Sequence, residues 1–232
     1  MRSLFVLGLL TAFAFSSPIT AATNPCDQQT GWRQAVCAFA KSNLVHFAWG
    51  YEHGIRDYQL AMQIAQAEGV SADEEVLFAA GLLHDMGGFV PYEKEGVDHA
   101  LRSTQVVESI LGPAGFPMEK LEAVKQAILT HSYYEKAKPQ TPEAVLLHDA
   151  DTLDFMGAIG VARLLAVAGK EKGLDDPKTS VALLTKFAKD LRGKIYGGIF
   201  SQKLAEERTQ EMKVFLKAVE VETFELGLPL FK

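Results

Sequence analysis

The sequence predicts a single all-α domain, a helical bundle, and three observations carry that prediction. Apolar residues recur at spacings of three and four nearly everywhere from Thr30 onward, the period of a helix with one buried face. Pro and Gly fall between those runs, with no β-hairpin signal and no alternation of strands with helices. The chain has 232 residues, 48% of them hydrophobic and 22% charged, enough to bury one sizeable core.

The first residues lie outside that bundle. Met1-Arg2 is a short basic start, Leu4 to Phe15 is an apolar run too short to span a bilayer, and Ser16 to Ala22 ends in small residues. Thr20 and Ala22, or Ile19 and Ala21, fit a cleavage site. Residues 1–22 therefore read as a cleaved secretory signal, the alternative being an uncleaved anchor, with residues 23–31 as a leader and 32–232 as the folded domain. Export places the protein in the periplasm or outside the cell, and no later stretch reads as a membrane helix. Cys26 and Cys37 are the only cysteines. In an oxidising compartment they are expected to form a disulfide from the leader to the first helix, the alternative being two reduced, buried thiols.

Trp32, Val36, Phe39, Ala40 and Leu44 mark the first helix, which Gly50 is expected to break. Ile55, Tyr58, Met62 and Ala65 mark a second, opened by His53 and ended at Gly69. Ser71 to Glu74 reads as an N-cap with acids in the first turn, before a third helix that ends in His84-Asp85. A loop with Pro91 precedes a helix expected from Asp98 to Leu111 and stopped at Gly112-Pro113; another follows from Phe116 through Ile128. Helices are also expected over Ala144–Phe155, Ala158–Gly169, Val181–Tyr196 and Ser201–Leu226.

Charge narrows the function. Lys and Arg number 23 against 29 Asp and Glu, a net charge of −6, so no basic surface for a nucleic-acid polymer is indicated. No phosphate-cradling Gly-rich loop, nucleophile elbow or dinucleotide fingerprint is present. His84-Asp85 at the end of an apolar helix is the informative feature, because burying both costs desolvation unless a cation compensates. Helical phase brings further donors to the interior. His131 shares the buried stripe of Leu121, Val124 and Ile128; His99 shares a face with Ser103, Val106 and Ile110; Asp151 shares one with Leu147 and Asp154. His and Asp residues converging from separate helices point to a transition-metal centre, Mn, Fe, Co, Ni or Zn, in preference to the oxygen-seeking Mg.

In the order His53, His84-Asp85, Asp151 the chain resembles the H…HD…D signature of the HD-domain superfamily of metal-dependent phosphohydrolases. The resemblance covers about residues 45–170. It rests on His53-Gly-Ile-Arg56, on Leu82-Leu83-His84-Asp85-Met86-Gly87, on Ala127 to Ser132, and on the run from His148-Asp149-Ala150-Asp151 to Arg163. That last run is similar to a D-A-D-x-L-D…G-A-x-G segment of a bacterial subgroup with pyrophosphohydrolase-like members. The resemblance implies an HD-type bundle with His53, His84, Asp85 and Asp151 as metal ligands. It leaves one ion or two open. With two, Asp85 bridges and His99 and His131 bind the second; with one, His99 and His131 face the phosphate as donors. Asp85 and Arg56 are the implied catalytic residues. Arg56 reads as a phosphate clamp, or as a surface partner of Asp57 or Glu52, with Arg102, Lys94 and Arg163 as further clamp candidates. Asp154 reads as an acceptor for a ligand imidazole or as a partner of Arg163, and His46 and His148 as structural. The implied activity is metal-assisted hydrolysis of a phosphoester or phosphoanhydride in a nucleotide or other small phosphorylated compound. A di-iron oxygenase of the same superfamily and a non-catalytic binding module are the alternatives. The loop from Phe89 to Asp98 and the C-terminal helices are expected to shape the pocket, and the sequence does not indicate an oligomeric state.

Overall fold

A computed structural model describes residues 23–134 and 137–225; the signal expected at residues 1–22 lies outside the described residues. Ten α-helices make up the described residues: α1 (Gly31–Asn43), α2 (Tyr51–Glu68), α3 (Glu74–Leu83), α4 (His99–Val106), α5 (Glu108–Ala114), α6 (Leu121–Leu129), α7 (Pro142–Asp154), α8 (Gly157–Ala166), α9 (Pro177–Asp190) and α10 (Ile199–Glu220). The all-α expectation holds: among the described residues there is no strand, only an isolated bridge between Glu171 and Leu174. No helix among them is long and apolar enough to cross a membrane.

The helices start where side-chain oxygens replace missing backbone partners. Asp73 accepts from the N–H groups of Glu75 and Val76 at the start of α3, and Asp98 from those of Ala100 and Leu101 at the start of α4. Thr141 caps α7 with Pro142 in its first turn, and Asp176 and Thr179 form a capping box on α9. Several boundaries differ from expectation: α1 ends at Asn43, ahead of Gly50, the helix expected over Asp98–Leu111 is divided at Val107 into α4 and α5, and α9 spans Pro177–Asp190 where Val181–Tyr196 was expected. The chain does not stop at Gly112-Pro113: α5 runs on through Pro113 to Ala114 and ends at Gly115, whose φ of 86° is left-handed. Pro113 lies near the end of a short helix, and left-handed Gly115 provides the stop.

α3 is the buried axis, with every residue from Val76 to Leu83 shielded from solvent. It packs on α2, α6, α1 and α7; α2 packs in turn along α7, and α6 against α4 and α7. α8, α9 and α10 pack on one another, and α10 reaches back to α2 and α7. Two close approaches fix the geometry at the centre. A β-carbon on Gly54 of α2 would stand 2.8 Å from the Gly81 carbonyl of α3, and one on Gly81 would stand 3.0 Å from the Tyr58 β-carbon, so these glycines let α2 and α3 nearly touch. In the turn Met86–Gly88, a β-carbon on Gly87 would stand 2.4 Å from the His99 carbonyl and 2.5 Å from the Ser103 nitrogen. Its absence lets α4 lie directly on the residues that follow Asp85, and the Gly87 N–H donates to Ser103 Oγ at 2.8 Å.

Cys26 and Cys37 form a disulfide, as expected, with their α-carbons 5.7 Å apart. It pins the leader to α1, while Asn24 Nδ2 donates to the Tyr51 hydroxyl at the head of α2. Replacing both cysteines by serine is expected to lower the unfolding free energy by about 2–3 kcal/mol, the chain-entropy value for so short a loop. Urea unfolding of the double variant measures it.

Candidate metal centre

Four imidazoles meet at the inner ends of four segments. His53 lies in the first turn of α2, His84 caps α3, His99 opens α4 and His131 follows the end of α6. Asp85 comes next to His84, and Asp151 lies on α7. His53, His84, His131 and Asp151 are each at most 3% exposed, so these groups have exchanged water for one another.

Each imidazole turns Nε2 inward and is held through Nδ1. His84 Nδ1 donates to the Gly81 carbonyl at 2.9 Å and His131 Nδ1 to the Ile128 carbonyl at 2.6 Å. His53 Nδ1 donates to Asp154 Oδ2 at 2.8 Å, and the Tyr134 hydroxyl lies 3.0 Å from His99 Nδ1. A carbonyl or carboxylate at Nδ1 of His53, His84 and His131 fixes a proton there and aims Nε2 inward, the nitrogen by which these rings would bind a metal, whereas the Tyr134 hydroxyl can donate to or accept from His99 Nδ1. The inward nitrogens crowd one another: His53 and His84 Nε2 are 3.2 Å apart, and those of His99 and His131 are 3.3 Å apart.

Asp85 divides its two oxygens between these pairs. Oδ1 lies 3.1 Å from His99 Nε2 and 3.4 Å from His131 Nε2, while Oδ2 lies 3.4 Å from His84 Nε2 and 3.7 Å from His53 Nε2. Asp151 Oδ1 is 3.3 Å from His53 Nε2. Donors about 2.0–2.2 Å from one ion stand roughly 3.0–3.5 Å from each other around it, so this donor set fits divalent transition ions. Two groups that share His84 emerge, an inner one of His53, Asp57, His84 and Asp151 and an outer one of His84, Asp85 and His131, with His99 beside Asp85.

Charge follows the same division. Burial raises the Asp85 carboxyl, but His84, His131 and His99 overcome it and hold the group well below the usual carboxylate range. Burial lowers His99, and the hydrogen bond and charge of Asp85 reverse this, raising it to about 9. His53 and His84 also end up raised, burial opposing and carboxylates winning, whereas burial leaves His131 lowered.

The sequence reading brings His53, His84, Asp85, His99, His131 and Asp151 together, and all six converge here. Asp154 takes both roles read for it. It accepts from His53, from Arg163 Nη1 at 2.7 Å, and from Arg56 through Nε and Nη2 at 2.9 and 2.8 Å. Arg56 therefore meets neither Asp57 nor Glu52, the surface partners read for it, and does not line the cavity at the centre as a phosphate clamp would. Its flat fork matches a carboxylate as well as a phosphate, and Asp154 is the anion one helix away. Lys94, Arg102 and Arg163 do not line the cavity either. Arg102 donates to the Tyr92 carbonyl, and Arg163 is buried between Asp154, the Ala48 carbonyl and the Phe155 ring. His46 bonds Glu171, and His148 lies between the Thr130 and Lys194 carbonyls, both structural as read.

Two participants were not foreseen. Lys172 lies at the cavity, in an irregular segment with no periodic cue. Asp57 is fully buried, with Oδ2 3.1 Å from His53 Nε2 and 3.6 Å from His84 Nε2. Its signal was available: it is four residues after His53, one turn along the same face.

Above the centre lies a cavity of about 440 Å³, with Asp85, His99, His131 and Asp151 at one end. Trp49, Phe89, Tyr133, Phe155 and Phe187 supply aromatic walls. Phe89 alone represents the Phe89–Asp98 loop, whereas Leu183 and Phe187 of α9 bear out the expectation that C-terminal helices shape the pocket.

Residues 50–156 match the HD domain family. The chain is 31% identical over 176 residues to the uncharacterised protein YpgQ of Bacillus subtilis, covering 73% of this chain and 82% of that protein. It is 30% identical over 115 residues to an uncharacterised protein of Clostridium beijerinckii, covering 50% of this chain and spanning 66% of the relative, just under two thirds. The crystal structure of B. subtilis YpgQ in complex with ADP superposes with a TM-score of 0.62 at 25% identity, over 82% of this chain and 97% of that one. An HD-superfamily hydrolase from Bacillus thuringiensis superposes with a TM-score of 0.57 at 25% identity, over 82% and 95%.

Asp154→Asn is expected to destabilise the metal-free protein by about 3–5 kcal/mol, since it strands the buried Arg163, and to weaken metal binding roughly 10- to 100-fold by freeing His53. Chemical unfolding and chelator competition read the two effects separately. Proton uptake by His99 competes with metal, so affinity should fall as pH drops below about 9, by about tenfold per unit for that one group. Proton release into a weakly buffered solution on adding Mn(II) checks the sign.

Proposed function

This chain belongs to the HD-domain family of hydrolases, and from that premise we propose that it is a metal-dependent phosphohydrolase acting outside the cytoplasm on a small phosphorylated compound. The observation that carries the proposal is the set of four Nδ1-anchored imidazoles whose Nε2 atoms converge with Asp85 and Asp151 at the end of a cavity of about 440 Å³. A divalent transition ion held there would act as a Lewis acid on the phosphoryl group and lower the pKa of a coordinated water toward neutrality. Asp85, with one oxygen toward each histidine pair, would be a ligand common to both ions if two were held there.

The rest of the cavity argues for the kind of substrate. Its aromatic walls exclude water and suit a flat or apolar group, such as a nucleobase, and the ADP held by YpgQ supports a nucleotide. Lys172 is the cation among the described lining residues, so the neutralisation of a phosphate rests mainly on the metal centre. A polymer would need a charged track beyond the cavity, and the net charge of −6 does not favour one. The disulfide and the N-terminal stretch support an exported protein.

The test is a screen of nucleotides and aromatic phosphomonoesters with metal-stripped protein reloaded with Mn, Fe, Co, Ni or Zn in turn. Turnover is expected with at least one ion, and Asp85→Ala should reduce it by at least about 100-fold. Oxygen uptake with coupled iron and no phosphate release would favour the oxygenase reading, and absence of turnover with every ion would favour a binding module. Lys172→Ala is expected to raise KM with little change in kcat, the signature of lost ground-state attraction at the rim.

A further inference from the structure

Among the described residues, Asp57 is the one buried acid whose two oxygens both lack a hydrogen-bond partner. Asp154 is held by two arginines and a histidine, and Asp149 by the backbone N–H groups of Tyr196 and Gly197. Asp57 is 0% exposed and neither of its oxygens receives a hydrogen bond. A carboxylate that no protein donor reaches is costly in a folded core. Its near polar neighbours are the inward nitrogens of His53 and His84, at 3.1 and 3.6 Å from Oδ2. His53 already spends its Nδ1 proton on Asp154, so Asp57 is not needed to orient that ring.

We propose that Asp57 is an additional ligand of the inner metal site, completing a donor set of His53, His84, Asp57, Asp151 and one oxygen of Asp85. One donor atom each from His53, Asp57, His84 and Asp151 lies within 4.8 Å of all the others, all four residues buried, which is a cage closed by protein on the side away from the cavity. The inference rests on the metal-centre reading and adds two consequences to it. First, the inner site carries two nitrogens and three oxygens, more than the four donors a structural zinc takes, and so selects ions that accept five or six ligands, such as Mn(II) or Fe(II). Second, Asp57 brings the carboxylates facing the centre to three with Asp85 and Asp151. Two divalent ions then leave the buried centre near neutrality with a slight positive excess, which favours an anionic phosphate, whereas a single ion leaves it negative.

The experiment compares the wild-type protein with Asp57→Asn, which keeps shape and removes the charge, and with Asp57→Leu, which fills the space with an apolar group. Metal-free melting temperatures, metal per chain at chelator-buffered free Mn(II), and competition between Mn(II) and Zn(II) are read for all three. Wild-type protein is expected to bind two Mn(II) per chain. Both variants should fold without metal at least as well as wild type, lose Mn(II) affinity at the inner site by at least about tenfold, and shift in preference toward Zn(II). Unchanged Mn(II) affinity in the variants overturns the role of Asp57 and leaves the metal centre standing. Wild-type protein that takes up no metal overturns both. Collapse of both metal-free variants also overturns the proposal, because the carboxylate would then be holding the fold and not an ion.

Discussion

The structure depends on one constraint: four imidazoles and a set of carboxylates are gathered in the interior, with only His99 and Asp85 partly open to the cavity. Such a cluster is unfavourable unless every group has a defined partner, and the protein supplies partners outward so that electron pairs are left inward. Backbone carbonyls of Gly81 and Ile128 take the ring protons of His84 and His131, and Asp154 takes that of His53. Asp154 can do so as a full anion because Arg56 and Arg163 neutralise it, and His53 with the arginines holds its carboxyl far below the ordinary range despite burial. The shell around the centre is thus electrically closed, and the charge imbalance is confined to the atoms that face one another.

That arrangement divides labour along the chain. Every ligand candidate lies within the segment shared with the HD domain family, residues 50–156. Much of the cavity wall comes from beyond it, from Leu164, Lys172, Leu174, Leu183 and Phe187. The donor cluster therefore belongs to the common part of the fold, and helices α8 and α9 with the irregular segment between them complete the cavity wall. The tie between His46 and Glu171 matters in this light, since it fastens that segment to the loop before α2 at 2.9 Å.

The sequence made much of the site legible because helical phase is a strong constraint. His131 and Asp151 each share an apolar stripe with several neighbours, so their inward direction follows from spacing alone, and the HD dipeptide follows a fully apolar helix. What spacing cannot report is competition between partners. Arg56 was correctly placed near His53, but which anion its guanidinium takes depends on α7 lying across α2, a tertiary fact. Asp57 reads in the sequence as a surface partner of Arg56, but α2 packs against α3 and α7 and Asp57 is fully buried. The end of α5 was misjudged for a similar reason, since Gly-Pro is a good local stop signal and the left-handed Gly115 just beyond it was better.

The bare α-carbon at residue 87 gives the architecture a mutational weak point. A methyl group there would press against the His99 carbonyl, the Ser103 nitrogen and the Arg102 β-carbon and drive α4 outward. A single-nucleotide change from a glycine to an alanine codon is thus enough to press on the segment that sets His99 beside Asp85, so the outer part of the donor cluster hangs on one missing side chain.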